Sequence, residues 1–398
     1  MKVLVISHMY PSTFNEIGGI FVHEQVKALV AKGIQARVVS PIPWTPFPIN
    51  HLTAKWKAYS RVPDHTVLDG VEVYYPRYLT LPKGAFFASS GQRMYRGIED
   101  VVAKIYQEFP FDLIHANVAL PDGYAGALLG QRLEKPLVVT IHGQDLQHTV
   151  DRNAACQRAV SYVLNSASRT ILVSHKLKRL AIKYFSLRDQ LVVVPNGVDP
   201  ENAVSRKVEP INQQKKGSTL LSVSNLVLTK GIDLNLHALQ KIRKNYPALR
   251  YVVIGGGPEE AKLRKLAGEL VLEKQVEFLG RQPHHQVMKY MAACDIFSLP
   301  SWNEGFGVVY LEAMAHGKSV IGCQGEGIED FVEHGKTGLL VKPRDMDSLA
   351  EALDFLLSHP DEAKAMGERA RKLVLENYTW EKNAEKTIQV YEEVLGGC

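Results

Sequence analysis

At 398 residues the chain is too long for one ordinary hydrophobic core and fits two domains. Its 45% apolar and 22% charged residues are those of a soluble globular protein, and no apolar run approaches the ~20 residues that cross a bilayer, which argues against a helical membrane protein. The net charge of +5 is unevenly spread: residues 1–200 carry 22 Lys and Arg against 15 Asp and Glu, a balance of +7, and residues 201–398 carry 25 against 27, a balance of −2, so an anionic partner or surface is expected on the N-terminal side.

The N-terminus, MKVLVISHMYPS, has a short apolar run ending in Pro, without the apolar core and small-residue cleavage site of a signal peptide. Residues 3–6 are therefore predicted as a buried first strand. A loop follows, ending in Ile17-Gly18-Gly19-Ile20. From 21 to 32 the apolar residues Phe21, Val22, Val26, Leu29 and Val30 recur at helical spacing, Gly33 stops that helix, and 36–40 is the next strand. Strand, glycine loop, helix and strand in this order open a doubly wound α/β domain. Residues 41–63 form a Pro- and aromatic-rich connection in which Trp44, Phe47, Trp56 and Tyr59 are interleaved with Lys55, Lys57 and Arg61. That composition suits a membrane face or a lipid-linked acceptor, and it also suits a flap packed on the domain. Residues 111–115 read as a strand followed by a helix from about Asp122. Residues 137–141 read as a strand that delivers His142-Gly143-Gln144-Asp145 at its carboxyl end, where open α/β sheets bind ligands. A lone His at such a place serves structure as readily as chemistry. Two more strands, 170–174 and 191–194, lead into the turn signal at 195–199.

Residues 201–217 are polar and aperiodic and read as a linker. A second α/β series then begins. It has a strand at 219–224, a loop ending in Lys230-Gly231 and a helix at 232–245. A strand at 250–254, the cluster Gly255-Gly256-Gly257, a helix from Glu259 and a strand at 275–281 follow. Lys230, at a strand-to-helix loop, is placed to meet phosphate as a point charge, although a lone Lys there would by default face solvent. The glycine cluster lacks the G-x-G-x-x-G of a dinucleotide site. Later come a strand at 319–322, a loop and helix near 327–333, a last strand at 337–341 and two amphipathic helices, the final one spanning 381–395. Cys156, Cys294, Cys323 and Cys398 have no CxxC spacing and are expected as reduced thiols of a cytoplasmic protein.

The densest chemistry lies at 300–317, PSWNEGFGVVYLEAMAHG, behind a short apolar strand at 295–299. Glu304 precedes Gly305-Phe306-Gly307, residues 308–316 have helical spacing, and Gly317 is placed to stop the helix. Glu304 is then expected at a helix mouth and Glu312 about two turns inside it. The glycines leave backbone N–H groups open at a helix N-terminus, a ready anion site, and the carboxylates suit hydroxyls. A sugar nucleotide carries both. In isolation the pair also fits a carboxylate favoured by the helix dipole and a solvated helix residue.

E-G-F-G-x-x-x-x-E, with Pro300-Ser301 ahead and Ala313-Met314 behind, closely resembles the donor-site signature of the family-four retaining glycosyltransferases. The resemblance implies the GT-B fold: two Rossmann-like doubly wound domains facing each other across a cleft, 1–200 for the acceptor and 218–378 for the nucleotide-sugar donor. A linker at 201–217 and a C-terminal helix, 379–398, crossing back to the first domain complete it. Glu304 would contact donor-sugar hydroxyls, Glu312 the ribose, and Phe306, Val308 and Val309 would offer backbone N–H groups. Gly18 and Gly19 would approach the donor phosphate, Gly255, Gly256 and Gly257 would line the nucleotide pocket, and Arg281 would border the base. His142, Lys230 and Glu304 would carry catalysis, with His23 and Asp145 on the acceptor side. The family usually has Arg where this chain has Asn225, which leaves Lys230 more of the charge to neutralise. The implied reaction is sugar transfer with retention from a nucleotide sugar, expected as a UDP-sugar, to a carbohydrate or lipid-linked acceptor. No metal, no cofactor and no nucleic acid partner are expected, and the location would be cytoplasmic, with peripheral membrane contact through the basic domain. A same-fold sugar-nucleotide epimerase and a silent nucleotide-sugar-binding subunit are the alternatives.

Overall fold

The computed structural model describes residues 1–81, 84–185, 187, 189–200 and 217–396. The expected linker falls, apart from Gly217, outside the described residues, as does Cys398. The chain divides into two compact units, one of Met1–Gly197 with Trp380–Cys398 and one of Val198–Thr379.

Among the described residues, the first unit carries ten strands: β1 (Lys2–Ile6), β2 (Gln35–Val39), β3 (Ile42–Pro43), β4 (His65–Leu68), β5 (Val71–Tyr74), β6 (Arg77–Tyr78), β7 (Leu113–Asn117), β8 (Leu137–Ile141), β9 (Arg169–Leu172) and β10 (Leu191–Val193). Eight of them form one sheet in the order β10-β9-β8-β7-β1-β2-β5-β4, parallel except for the β4–β5 hairpin. Helices cover a parallel sheet on both faces, so its central strands read as unbroken apolar runs; Val3, Leu4, Val5 and Ile6 are all buried. Strand order reverses its winding direction between β1 and β7, which leaves a crevice at their carboxyl ends.

The stretch from 41 to 110 is more regular than its composition suggests. It holds β3 to β6, a short helix at Ala54–Ser60 and a long one at Ser90–Glu108. The β4–β5 hairpin turns on Asp69-Gly70, both with positive φ, which is the pattern a two-residue type I′ hairpin demands. The long helix buries Met94, Ile98, Val102 and Ile105, a stripe at spacings of three and four. After β7 the helix begins at Tyr124 rather than Asp122, because 119–123 forms a separate turn.

The helix Trp380–Gly396 belongs to the first unit. Ala384, Val390, Tyr391 and Val394 share one core with Val22, Val26 and Leu29 of the helix Ile20–Ala31. Polar groups fix its register: Gln25 donates to Asn383 at 2.8 Å, and the Tyr391 hydroxyl meets His115 Nδ1 at 2.6 Å, while His115 Nε2 meets Thr140 at 2.7 Å.

The described residues of the second unit form six parallel strands: β11 (Thr219–Val223), β12 (Arg250–Ile254), β13 (Val276–Gly280), β14 (Ile296–Ser298), β15 (Ser319–Cys323) and β16 (Leu339–Val341). Their order is β13-β12-β11-β14-β15-β16, so winding reverses between β11 and β14. Here the segment near 327–333 is only a short turn, Gly327–Asp330.

Burial holds the His115 imidazole down, to about 4, against an ordinary value of 6.5. The folded chain therefore resists protonating it, so its contribution to stability is complete above pH 6.5 and is lost as pH falls toward 4. Urea midpoints should drop over that window. Tyr391→Phe, which leaves His115 Nδ1 without its partner, should cost about 1–3 kcal/mol at pH 7 in the same measurement.

Candidate active site

In the second unit the loops after β11 and β14 meet at the winding reversal. Trp302 N–H donates to Thr229 O at 3.0 Å. Gly231, with φ of +69°, lies so close to Pro300 that a Cβ would fall 2.5 Å from the Pro300 carbonyl; only glycine lets the loops touch. Beneath them Asn235 bonds Ser298, Ser222 and the Tyr251 hydroxyl, locking β11, β12 and β14 to the helix Ile232–Ile242.

On this base Lys230 Nζ sits 2.6 Å from Glu304 Oε2, both side chains partly buried. Glu304 is fixed a second time, because its N–H donates to Glu326 Oε2 at 2.5 Å. Gly327 is held against Gly305, where a Cβ would stand 2.3 Å from the Gly305 carbonyl. Gly307, φ +96°, caps the helix Val308–Ala315. Phe306 is buried edge-on against Phe331, centroids 5.2 Å apart, so only its backbone is open to chemistry. Val308 and Val309 supply first-turn N–H groups that lack intrahelical acceptors. The helix starts at Val308 as its spacing predicts, and Glu312, four residues on, lies about one turn inside it, not two; its Oε1 is 2.9 Å from His284 Nε2. Gly317, φ +71°, follows its last turn as expected.

A neighbouring corner forms at the carboxyl ends of β11, β12 and β13. A Cβ on Gly255 would lie 1.8 Å from Ser224 O, and one on Gly257 2.4 Å from Leu226 O. These glycines are thus demanded by backbone contact on either side of the exposed Asn225. The exposed Arg281 lies over Gly256, 3.3 Å from where its Cβ would be.

The first unit has its own site at the ends of β1, β7 and β8. His142 Nε2 meets Asn117 Oδ1 at 2.9 Å, and its ring lies 4.7 Å from that of Phe21. Burial keeps it neutral, pushing its value down to about 3. Asp145 accepts from Ala119 N–H at 3.0 Å and Leu120 N–H at 3.4 Å, which holds the turn after β7, and burial pushes its carboxyl up to about 6. His142 Nδ1, Asp145 Oδ2 and Asn117 Nδ2 are buried without a protein partner. Beside them His8 Nδ1 is 2.9 Å from the fully buried Asp122. Burial opposes a charge on His8, yet the Asp122 carboxylate outweighs it, aided by Asp145, and the imidazole is held above its ordinary value. His8 and Asp145 line a cavity of about 540 Å³ with Gln144, Gln147, His148 and Arg152.

The remaining residues of interest stand elsewhere in this unit. Gly19, φ +69°, caps the helix Ile20–Ala31 and touches Met9, while Gly18 backs onto Asn15. His23 is buried between the Tyr10 hydroxyl at 2.7 Å and Asp69 at 3.0 Å. It lines a separate cavity of about 350 Å³, so His23 and Asp145 do not share one. Glu326, His8 and Asp122 had no signal of their own in the sequence beyond lying near strand ends; His8 and Asp122 are 114 positions apart.

Two Rossmann-like units wound in this way define the GT-B class of glycosyltransferases. Residues 18–202 match glycosyltransferase family 4 and residues 204–373 match the glycosyl transferases group 1 domain. TuaC of Bacillus subtilis, a glycosyltransferase named for teichuronic acid biosynthesis, is 30% identical over 367 residues, covering 89% of this chain and 88% of its own. A GDP-mannose-dependent phosphatidylinositol monomannoside mannosyltransferase of Mycolicibacterium smegmatis is 26% identical, covering 82% and 85%. Among solved structures, sucrose-phosphate synthase of Thermosynechococcus elongatus superposes with a TM-score of 0.82 at 22% identity over all of both chains. Anabaena HepE with UDP and glucose gives 0.74 at 21%, over 99% of this chain and 100% of its own. The chain belongs to the family-four GT-B glycosyltransferases.

Asp145 carries a pH test of the first unit's site. Its folded-state value is raised, so the stability it contributes is complete below its ordinary 3.8 and is lost as pH rises through about 6. Asp145→Asn keeps an acceptor for Ala119 and Leu120 and removes the ionisation. Thermal melts should show the variant gaining relative to the native chain between pH 4 and 6, by on the order of 3 kcal/mol at neutrality.

Proposed function

We propose that this glycosyltransferase moves a sugar, with retention, from a UDP-sugar to a hydroxyl of a glycan or lipid-linked acceptor, without a metal ion. The observation that carries the reading is the 2.6 Å contact of Lys230 with Glu304 at the winding reversal of the second unit's sheet. One member is the cation suited to a diphosphate; the other is a carboxylate suited to sugar hydroxyls. In the reaction the bond from the anomeric carbon to the diphosphate oxygen breaks, and the acceptor oxygen bonds to that carbon on the same face. The acceptor's proton goes to the departing phosphate. Charge grows on that phosphate in the transition state, where Lys230 and the N–H groups at Gly307–Val309 are preorganised to meet it. Glu326, through its bond to the Glu304 backbone, keeps the carboxylate on target. His142, neutral and buried, is suited to a hydrogen bond with the sugar rather than to carrying charge.

UDP is favoured over GDP because HepE, which shares the fold, is seen with UDP and glucose; the mycobacterial relative named for GDP-mannose is the counterweight. A thermal-shift screen of UDP-, GDP- and ADP-sugars decides it. A donor at a hundredfold over its Kd should add about 2.7 kcal/mol of stability. Stabilisation by GDP-sugars alone would replace the UDP assignment. Activity should survive EDTA, and a rate regained only with added Mg²⁺ or Mn²⁺ would contradict the metal-free site. A new sugar nucleotide formed from donor alone would instead mark an epimerase.

Variants test the roles. Lys230→Ala should cost on the order of 10²–10³ in turnover, as for one preorganised donor at a developing charge. Lys230→Arg should restore only part of this. Glu312→Ala should weaken calorimetric binding of the nucleoside diphosphate by about 1–3 kcal/mol. Normal turnover in Lys230→Ala, with folding confirmed by circular dichroism, would show that the phosphate charge is met elsewhere.

A further inference from the structure

The Glu312 carboxylate is held from the neighbouring helix, His284–Ala293, whose first residue brings Nε2 to 2.9 Å from Glu312 Oε1. A carboxylate only accepts, so the imidazole donates, in its neutral and its charged form alike. The place of His284 is fixed from both sides. Ahead of it, Gly255 N–H donates to Gly280 O at 2.8 Å, and the Gln282 side chain donates to Leu279 O at 2.8 Å, so the loop after β13 starts at the glycine corner and closes on itself. Within that loop Arg281 lies over Gly256. Pro283, with φ of −58°, then caps the helix and puts His284 at its first position. Behind it Val287, Met288 and Met291 are buried, on a helix that packs beside Val308–Ala315. One short loop therefore runs from the glycine corner to Glu312.

The bond is not needed to hold the two helices together. Apolar burial does that, and a pair whose imidazole is half exposed adds little stability. Its effect falls on Glu312 itself. A glutamate side chain is long and, free in water, spreads over many rotamers. A ligand that needs one of them must order the side chain first, and that ordering weakens binding. His284 holds the carboxylate in place before any ligand arrives: Oε1 carries the imidazole, and Oε2 can accept from a hydroxyl.

We infer that His284 is a positioning residue for nucleoside recognition, its imidazole setting the Glu312 carboxylate for the ribose hydroxyls of the donor. The inference rests on the proposed donor site, in which Glu312 meets the ribose, and adds to it a residue outside the 300–317 stretch.

The test is calorimetric titration of the whole chain with UDP and with 2′,3′-dideoxy-UDP, and with the corresponding pair of guanosine diphosphates. The ratio of the two Kd values isolates the ribose hydroxyls from the base and the diphosphate. For the diphosphate that the native chain binds, it should be about 10- to 100-fold, the worth of a charge-assisted hydrogen bond. Glu312→Ala should bring the ratio near unity. His284→Ala should weaken binding of the ribonucleotide about three- to tenfold and leave the dideoxy nucleotide unchanged. His284→Gln, which keeps an N–H donor for the carboxylate, should recover part of that loss. In the Glu312→Ala background His284→Ala should have no further effect, because the two act as one unit. His285→Gln is the control, since His285 faces Gln286. His284 is half exposed, and an unchanged thermal melt confirms that the variants fold. If His284→Ala weakens both nucleotides alike, or neither, the inference is overturned, and a ratio lost in Glu312→Ala still leaves the donor reading standing. A native chain that does not distinguish the ribose from the dideoxyribose, or that binds neither diphosphate, overturns the Glu312 reading, and the inference falls with it.

Discussion

The constraint on which the rest depends is the reversal of winding in a parallel sheet. Where consecutive connections leave in opposite directions, no helix covers the gap at the carboxyl ends of the two strands, and the loops there are free to carry polar groups. Both units obey this, and in both the gap holds a basic side chain paired with a carboxyl group: Lys230 with Glu304 beside β11 and β14, His8 with Asp122 beside β1 and β7. In each case one partner follows the first strand of the unit and the other follows the strand across the reversal. The same topology used twice yields two sites with similar construction and different chemistry, one built around a fixed ammonium and open backbone N–H groups, the other around imidazoles and buried carboxyls.

Much of the second unit's site was legible from local pattern. The strand before Pro300, the glycines around Phe306 and the helical spacing after them are neighbours in sequence, so periodicity and turn chemistry locate Glu304 and Glu312 directly. The helix starts at Val308 as the spacing implied, and Glu312, four residues on, lies about one turn inside it rather than two. Lys230 was legible as a loop lysine placed to meet phosphate, but not as the partner of Glu304. Its partner lies 74 positions away, and only strand order brings them together. Glu326 was silent because it acts through a backbone N–H, which no side-chain pattern reveals. The His8–Asp122 pair, formed across the whole β1–β7 connection, was beyond any local signal. By contrast, the Asp69-Gly70 hairpin and the stripe of the helix Ser90–Glu108 were present in the pattern but were masked by the Pro-rich segment ahead of them.

The glycines at the carboxyl ends of β11, β12 and β13 show how one observation admits two causes. Gly255 and Gly257 look like residues kept small for a nucleotide, yet backbone carbonyls of Ser224 and Leu226 already forbid a Cβ. Their structural need is complete without a ligand. The same holds for Gly307: with φ of +96°, a Cβ there would stand 2.7 Å from Tyr310 Cδ2 and 3.0 Å from Ile328 Cγ2, so its need too is met within the fold.

The polar groups of these sites are poor candidates for stabilising the fold. A partly buried ion pair recovers little more than the desolvation it costs, while loss of one partner leaves an uncompensated charge. In the first unit, buried polar atoms with no protein partner on Asn117, His142 and Asp145 gather at the carboxyl end of one sheet, while others, on Ser90, Thr170 and Thr387 among them, are scattered. Such atoms are costly singly, and a folded chain carries few of them. Elsewhere in this unit His115 is satisfied on both nitrogens, by Tyr391 and Thr140. His115 and His142 are both buried and both held neutral, but His115 has both ring nitrogens satisfied within the fold, whereas His142 Nδ1 has no protein partner.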